Sequence, residues 1–129
     1  MNIADAELAY IKTSGTVTFQ SILGNIDVAG IIQASEMTQA TTSPVEIIAS
    51  AAKTVTFKTA SSTFHTLTVT SAGGIAVEHD LATSFGNLAM TSSGAALALS
   101  SGVDLISKSA MTLNGHSITV VHNITCFTE

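Results

Sequence analysis

Short apolar and polar alternations recur along the chain, each three to five residues long and bounded by Gly, Asn, Ser or Thr. Such period-two segments are typical of β-strands with one buried face. The clearest lie at 17–19, 26–28, 45–47, 55–57, 67–69, 75–77, 88–90, 97–99, 111–113 and 118–120. We therefore predict an all-β protein made of many short strands.

The strand segments recur with a period of about 21 residues. One series begins at Val55, Ile75, Leu97 and Ile118; a second at Ile26, Val45, Leu67, Leu88 and Met111; a third at Leu81, Val103 and Ile124. About three short strands per fixed period is the signature of a β-solenoid, in which each repeat forms one coil. An antiparallel sandwich or barrel also has short strands with regular turns, but it predicts no common phase across successive repeats.

We therefore expect residues 1–129 to form one domain, a parallel β-helix of about five coils of ~21 residues with three short strands each. Residues 1–16 form an N-terminal coil or cap, and 17–125 carry the repeats. The segment 30–44 is irregular: either Met37 stands in the first series, or a short helix interrupts the coil. At ~4.8 Å per coil the rod is roughly 25 Å long.

The composition fits stacked coils. The chain is 46% hydrophobic but only 10% charged, it lacks arginine, and it contains 16 Ser and 19 Thr. An average domain is about 25% charged, which argues against a helical bundle, and the hydrophobicity argues against disorder. Like charges stacked ~4.8 Å apart would repel, so outward positions favour small hydroxyl residues.

Charge and hydropathy exclude two classes of partner. A net charge of −5 with four scattered lysines leaves no basic surface for nucleic acid. No apolar run approaches the ~20 residues that cross a bilayer, so we expect no membrane span. The N-terminal residues have no basic segment ahead of an apolar run and do not predict a signal peptide.

The N-terminal sequence resembles the repeat of filamentous-haemagglutinin-like surface proteins. An Ala-Glu-Leu-x-x-Ile turn at 6–11 precedes the strand Gly-Thr-Val-Thr-Phe at 15–19 and the strand Gly-Asn-Ile-Asp-Val at 24–28. The close match covers about the first 28 residues. The resemblance implies a parallel β-helix in a secreted or surface-anchored adhesin or fibre, of which this chain is a segment or one subunit. It carries no catalytic residues.

The titratable residues indicate no defined reaction. His65, His79, His116 and His122 lack the close spacing of a three- or four-ligand zinc site, so we assign no metal or cofactor. Glu78 and Asp80 flank His79, and paired carboxylates cleave polysaccharides on some β-helices. Because the chain has no arginine to hold an anionic sugar, we assign no catalytic residues and interpret these acids as solvated turn charges.

Three further features are candidates for modification or binding. Asn123 begins an Asn-Ile-Thr glycosylation sequon. The single cysteine, Cys126, is either a buried inert thiol or an intermolecular one. Thr-x-Thr pairs such as Thr16/Thr18 and Thr54/Thr56 could bind ice or glycan on a flat face, but the expected outward column Thr18, Thr56, Ala76, Ala98, Thr119 is broken.

Our leading hypothesis is a non-enzymatic structural module of an extracellular or cell-surface fibre or adhesin. Its copies, or adjacent repeats, would stack head to tail, because uncapped coil ends expose unpaired backbone groups. The alternative is a module that binds cell-surface glycans or ice through a Thr/Ser-rich face.

Overall fold

A computed structural model describes residues 1–3, 6–37, 39–120 and 123–127. It is a parallel β-solenoid of about five turns, which confirms the predicted fold class and coil number. Every strand pair in this part of the chain is parallel, which excludes an antiparallel sandwich or barrel. The strands are β1 (Asn2–Ile3), β2 (Val17–Ser21), β3 (Ile26–Val28), β4 (Val45–Ala49), β5 (Thr54–Phe57), β6 (Ser62–Phe64), β7 (Leu67–Ser71), β8 (Gly74–Val77), β9 (Leu81–Thr83), β10 (Leu88–Leu99), β11 (Leu105–Ser107), β12 (Met111–Thr119) and β13 (Ile124–Cys126).

The strands form three faces. Face 1 stacks β2, β4, β7 and the first halves of β10 and β12. Face 2 stacks β1, β3, β5, β8 and the second halves of β10 and β12. Face 3 stacks β6, β9, β11 and β13. We number the coils by their face 1 strand: coil 1 (17–44), coil 2 (45–66), coil 3 (67–87), coil 4 (88–110) and coil 5 (111–127).

The inward residues of each face form apolar columns that run along the solenoid. On face 1, Val45, Leu67 and Leu88 are in register, and all are at most 1% exposed. On face 2, Val55, Ile75 and Leu97 are in register. These columns confirm the first series from Val55 onward and the second from Val45 onward. Equivalent residues face inward in every coil because the side-chain period of a strand is two.

Coil 1 departs from the predicted register. Ile26 pairs with Val55 on face 2, and Val17 pairs with Val45 on face 1. The assignment of Ile26 to the second series was therefore wrong, as was the placement of Thr18 in the same column as Thr56. The cause is the length of coil 1, which spans 28 residues from Val17 to Val45 (45 − 17) rather than about 21.

The extra length of coil 1 contains a short α-helix, α1 (Gln33–Glu36), which decides between the two interpretations of the irregular segment. Met37 is fully buried but lies in no strand, so it does not belong to the first series. The buried Gln33 ties the insertion together: its Nε2 donates to the carbonyls of Ala40 and Ser43, both at 2.7 Å. Its Oε1 accepts from the His65 amide at 2.8 Å, which connects the insertion to coil 2.

The third series is also corrected at one position. Leu81 and Ile124 both pair with Leu105, not with Val103. Val103 is buried in the turn before β11, two residues earlier. Val103 and Leu105 are both apolar and lie two residues apart, so alternation alone did not show which of them begins the strand.

The corner that follows face 1 is lined by small inward residues. The Ser71 hydroxyl lies 2.7 Å from the carbonyl oxygens of Lys53 and Gly74 and accepts from the Gly74 amide at 3.0 Å. Ser92 occupies the same position in the next coil and donates to the Ala95 carbonyl at 2.8 Å. Within the described residues every buried side-chain polar atom has a partner. Part of the high serine content therefore satisfies backbone groups at the corners.

Candidate functional site

The C-terminal end of the solenoid leaves its core column uncovered. In coil 4, the inward residues Leu97 and Leu105 are 0% exposed, whereas their register partners in coil 5, Ile118 and Ile124, are 43% and 42% exposed. Met111 and Leu113, which continue the fully buried face 1 columns, are only partly buried. Coil 5 thus presents the cross-section of the hydrophobic core to solvent.

The edge strands of coil 5 carry none of the usual protective residues. Among the described residues, β12 pairs only with β10 and β13 only with β11. The sequence contains no Asp, Glu, Lys, Arg or Pro between Lys108 and Glu129. Natural sheets commonly protect exposed edges with charges or proline, since an open edge templates pairing with another strand. The uncharged edge strands of coil 5, with their exposed apolar residues, are therefore suited to pairing with further strands.

The N-terminal end is covered over face 2, whereas on face 1 β2 is an edge strand and its inward Phe19 is only partly buried. β1 extends face 2 by one strand beyond coil 1, and a 3₁₀ helix (Ala6–Tyr10) follows it. Ile3, Leu8 and Val17 are buried, and the N-terminal amine donates to the Asn25 carbonyl at 2.6 Å. The two ends of the solenoid are therefore chemically different.

Cys126 lies at the margin of the open coil. It is in register with Ser107 and occupies the equivalent corner position, where its thiol donates to the Ser109 carbonyl at 2.6 Å. Cys126 is exposed. The prediction of a buried thiol is therefore wrong, and an intermolecular role for Cys126 stays a prediction.

Asn123 is exposed at the start of β13. Its backbone carbonyl accepts from the Leu105 amide at 3.2 Å, so the residue is held in the sheet while its side chain is accessible. Glycosylation there stays a prediction.

The structure does not bring the histidines together as ligands. His65 stacks on Phe85, with ring centroids 4.8 Å apart, while His79 and His116 are exposed on different coils. His122 lies outside the described residues. Within residues 1–3, 6–37, 39–120 and 123–127, no three His, Cys, Asp or Glu side chains lie close enough to hold a metal ion.

Several acidic residues engage in local structural contacts. Asp27 pairs with Lys58 at 2.9 Å, where both side chains are more than a third exposed, so the pair contributes little stability. Asp80 Oδ1 accepts from the Asp104 amide at 2.8 Å and connects coils 3 and 4. Glu36 accepts from the Ile32 amide at 2.9 Å at the start of α1. Glu78 is exposed beside His79.

The outward threonines do not form a regular array. The two outward columns of face 1, from coil 1 to coil 5, contain Thr18, Glu46, Thr68, Ala89 and Thr112 in one and Gln20, Ile48, Thr70, Thr91 and Asn114 in the other. The corresponding column on face 2 contains Asp27, Thr56, Ala76, Ala98 and Thr119. The largest continuous patch comprises Thr68, Thr70 and Thr91.

Two features were not anticipated from the sequence. Two stacked pairs follow the corner after face 3: His65 on Phe85, and Lys108 with its Nζ 4.5 Å from the Phe127 ring centroid. A shallow groove of about 250 Å³ lies outside face 2, lined mainly by Thr54, Thr56, Gly74, Ala76, Ala96 and Ala98. Strand periodicity gives no information about corner residues, so it could not reveal these stacked pairs.

Comparison with known proteins supplies no relative: no family model, no curated protein and no solved structure matches the chain. The resemblance to filamentous-haemagglutinin-like repeats therefore stays a prediction. In the described part of the chain, no helix has the length and apolarity to cross a bilayer.

Proposed function

We propose that this chain is a non-enzymatic structural module of a secreted or cell-surface fibre or adhesin, and that its rod is extended at coil 5. The observation that carries the proposal is the uncovered core column: Ile118 and Ile124 are over 40% exposed at positions that are fully buried one coil earlier. A further coil in register would bury these residues and pair both edge strands.

The construction of the rod supports this role. Each coil repeats the same inward columns, so stability comes from contacts between neighbouring coils, and the rod can lengthen by adding coils. The contacts of Asp80 with coil 4 and of Gln33 with coil 2 connect successive coils. Adjacent repeats of a longer chain would continue coil 5 head to tail. A further strand parallel to β12 would repeat the pairing of β12 with β10 and place its inward residues on the existing apolar columns.

The test measures whether full chains associate end to end. It uses sedimentation velocity and negative-stain electron microscopy over a wide concentration range. We expect particles longer than one module that share its cross-section. Ile118→Lys should abolish them because it places a charge in the open core column. The matched control is Thr68→Lys, which adds the same charge on the outward side of the central strand β7, away from the open edge, and should leave association unchanged. Compact monomers at every concentration would contradict the proposed extension at coil 5.

Glycan or ice binding is the second candidate, and one observation favours it: Thr68, Thr70 and Thr91 form a continuous hydroxyl patch on face 1. Glycan-array binding or thermal hysteresis that is lost in Thr70→Val would support this function. The valine variant keeps the shape and β-propensity of threonine and removes only the hydroxyl. Absence of both activities in the unmodified chain would leave the structural function.

A further inference from the structure

We propose that separate copies of this chain associate tail to tail, coil 5 against coil 5, as a closed two-fold dimer. The inference rests on the proposed function, in which coil 5 is the joining surface, and it adds the identity of the partner and the polarity of the joint.

The chemistry of coil 5 suits contact with itself. Its inner residues Ile118 and Ile124 are exposed, Leu113 is partly buried, and all three are apolar, so two such surfaces bury hydrophobic area against each other. Between Lys108 and Glu129 there is no Asp, Glu, Lys or Arg, so the contact brings no like side-chain charges together from this segment. A two-fold interface uses the same patch on both subunits and closes after two copies.

The N-terminal end of a second copy is a poorer partner. Among the described residues, face 2 has six strands because β1 lies beyond coil 1, whereas face 1 has five and ends at β2. If β1 of one copy paired with the face 2 half of β12 in another, β2 would remain about one strand spacing, ~4.8 Å, from reaching the face 1 half of β12. Such a gap forfeits packing over part of the joint.

The N-terminal end also gains less from being covered. Its inner residues Ile3 and Leu8 are already buried at 4% and 6% exposure. Phe19 on the edge strand β2 is partly buried, so a second copy has less core left to bury there than at coil 5. In a tail-to-tail dimer both partners contribute an open core, and their β12 edges meet in antiparallel orientation, which is a favourable ladder geometry. Because the joint is only one coil in cross-section, it is a small interface, and we expect dimerisation to depend on protein concentration.

The first measurement is the stoichiometry of the full chain by sedimentation equilibrium. We expect a monomer–dimer equilibrium with no larger species. Leu113→Lys, on the inward side of β12, should weaken dimerisation at least tenfold, whereas the control Thr68→Lys, on the outward side of the central strand β7, should shift it less than twofold. Circular dichroism of both variants checks that the solenoid is retained; if Leu113→Lys unfolds, Leu113→Ser replaces it.

The second measurement is the polarity of the joint, from electron–electron distances between spin labels on Thr18→Cys or Thr112→Cys, each in a Cys126→Ser background. Both label sites lie on the outward side of face 1, four coils apart. In a tail-to-tail dimer the coil 1 labels are farther apart along the axis than the coil 5 labels by about eight strand spacings, ~38 Å. In a head-to-tail assembly both labels report the same distance between neighbours.

A common distance for both labels, or growth beyond two copies, would overturn the tail-to-tail dimer and leave coil 5 as the joining surface of the proposed function. A monomer at every concentration would overturn the dimer and the self-association in the proposed function together. The two failures are therefore distinguishable.

Discussion

Truncation of two residues in one core column tests whether coil 5 is open. Leu97 and Ile118 are register partners on face 2, in coils 4 and 5. Alanine at either position removes three carbon atoms from an inward side chain. The two substitutions therefore differ mainly in how well each side chain is covered.

The structure supplies the expected magnitudes. Leu97 is 0% exposed, so at about 0.8 kcal/mol per buried methylene its truncation loses ~2.4 kcal/mol, and the remaining cavity raises the cost to about 3 kcal/mol. Ile118 is 43% exposed, so its truncation loses only ~1.4 kcal/mol, with no closed cavity to add. We expect a difference of about 2 kcal/mol between the two variants.

The assay is urea denaturation followed by circular dichroism at low protein concentration, where copies are separate. Since coils of a solenoid can open individually, native-state hydrogen exchange of coil 5 amides should accompany it. At high concentration the cost of Ile118→Ala should rise toward that of Leu97→Ala, because association stabilises the covered state. Equal costs for the two variants at low concentration would contradict an open coil 5, since Ile118 would then be fully covered within one chain.

Three further substitutions probe how the coils are held together. Gln33→Met removes three hydrogen bonds in the coil 1 insertion and should cost about 2–4 kcal/mol of unfolding free energy in urea melts; a cost below ~0.5 kcal/mol would show that the insertion packs without them. Ser71→Ala leaves the corner amide of Gly74 without its acceptor and should cost about 1–3 kcal/mol, and a neutral result would contradict a structural role for the corner hydroxyls. Gly94→Ala places a methyl group against the Ala72 carbonyl of the preceding coil and should lower stability by about 1–3 kcal/mol, whereas Gly15→Ala meets only ordinary contacts and should be nearly neutral in the same melts.

The candidate site was predicted in part. Any solenoid exposes unpaired strand edges at its ends, so this feature was predictable from the fold class. The absence of charged residues between Lys108 and Glu129 is visible in the sequence. Which end is open was not visible, because the cover over Val17 depends on where the 3₁₀ helix and β1 pack. The two stacked pairs after face 3 and the groove outside face 2 depend on residues from different coils that share no pattern along the chain.

Sequence patterns alone predict the class of fold, the three-strand coil and the register of faces 1 and 2 from coil 2 onward. A strand buries every second residue, and a stacked coil repeats this pattern at nearly constant spacing, so local alternation and period carry that information. Three outcomes became visible only in the folded chain: Ile26 stacks on Val55, Leu105 rather than Val103 continues the third face, and coil 5 leaves more of the core exposed than the N-terminal end does. These outcomes depend on an insertion that lengthens coil 1 and on contacts between segments distant along the chain, which no local period records.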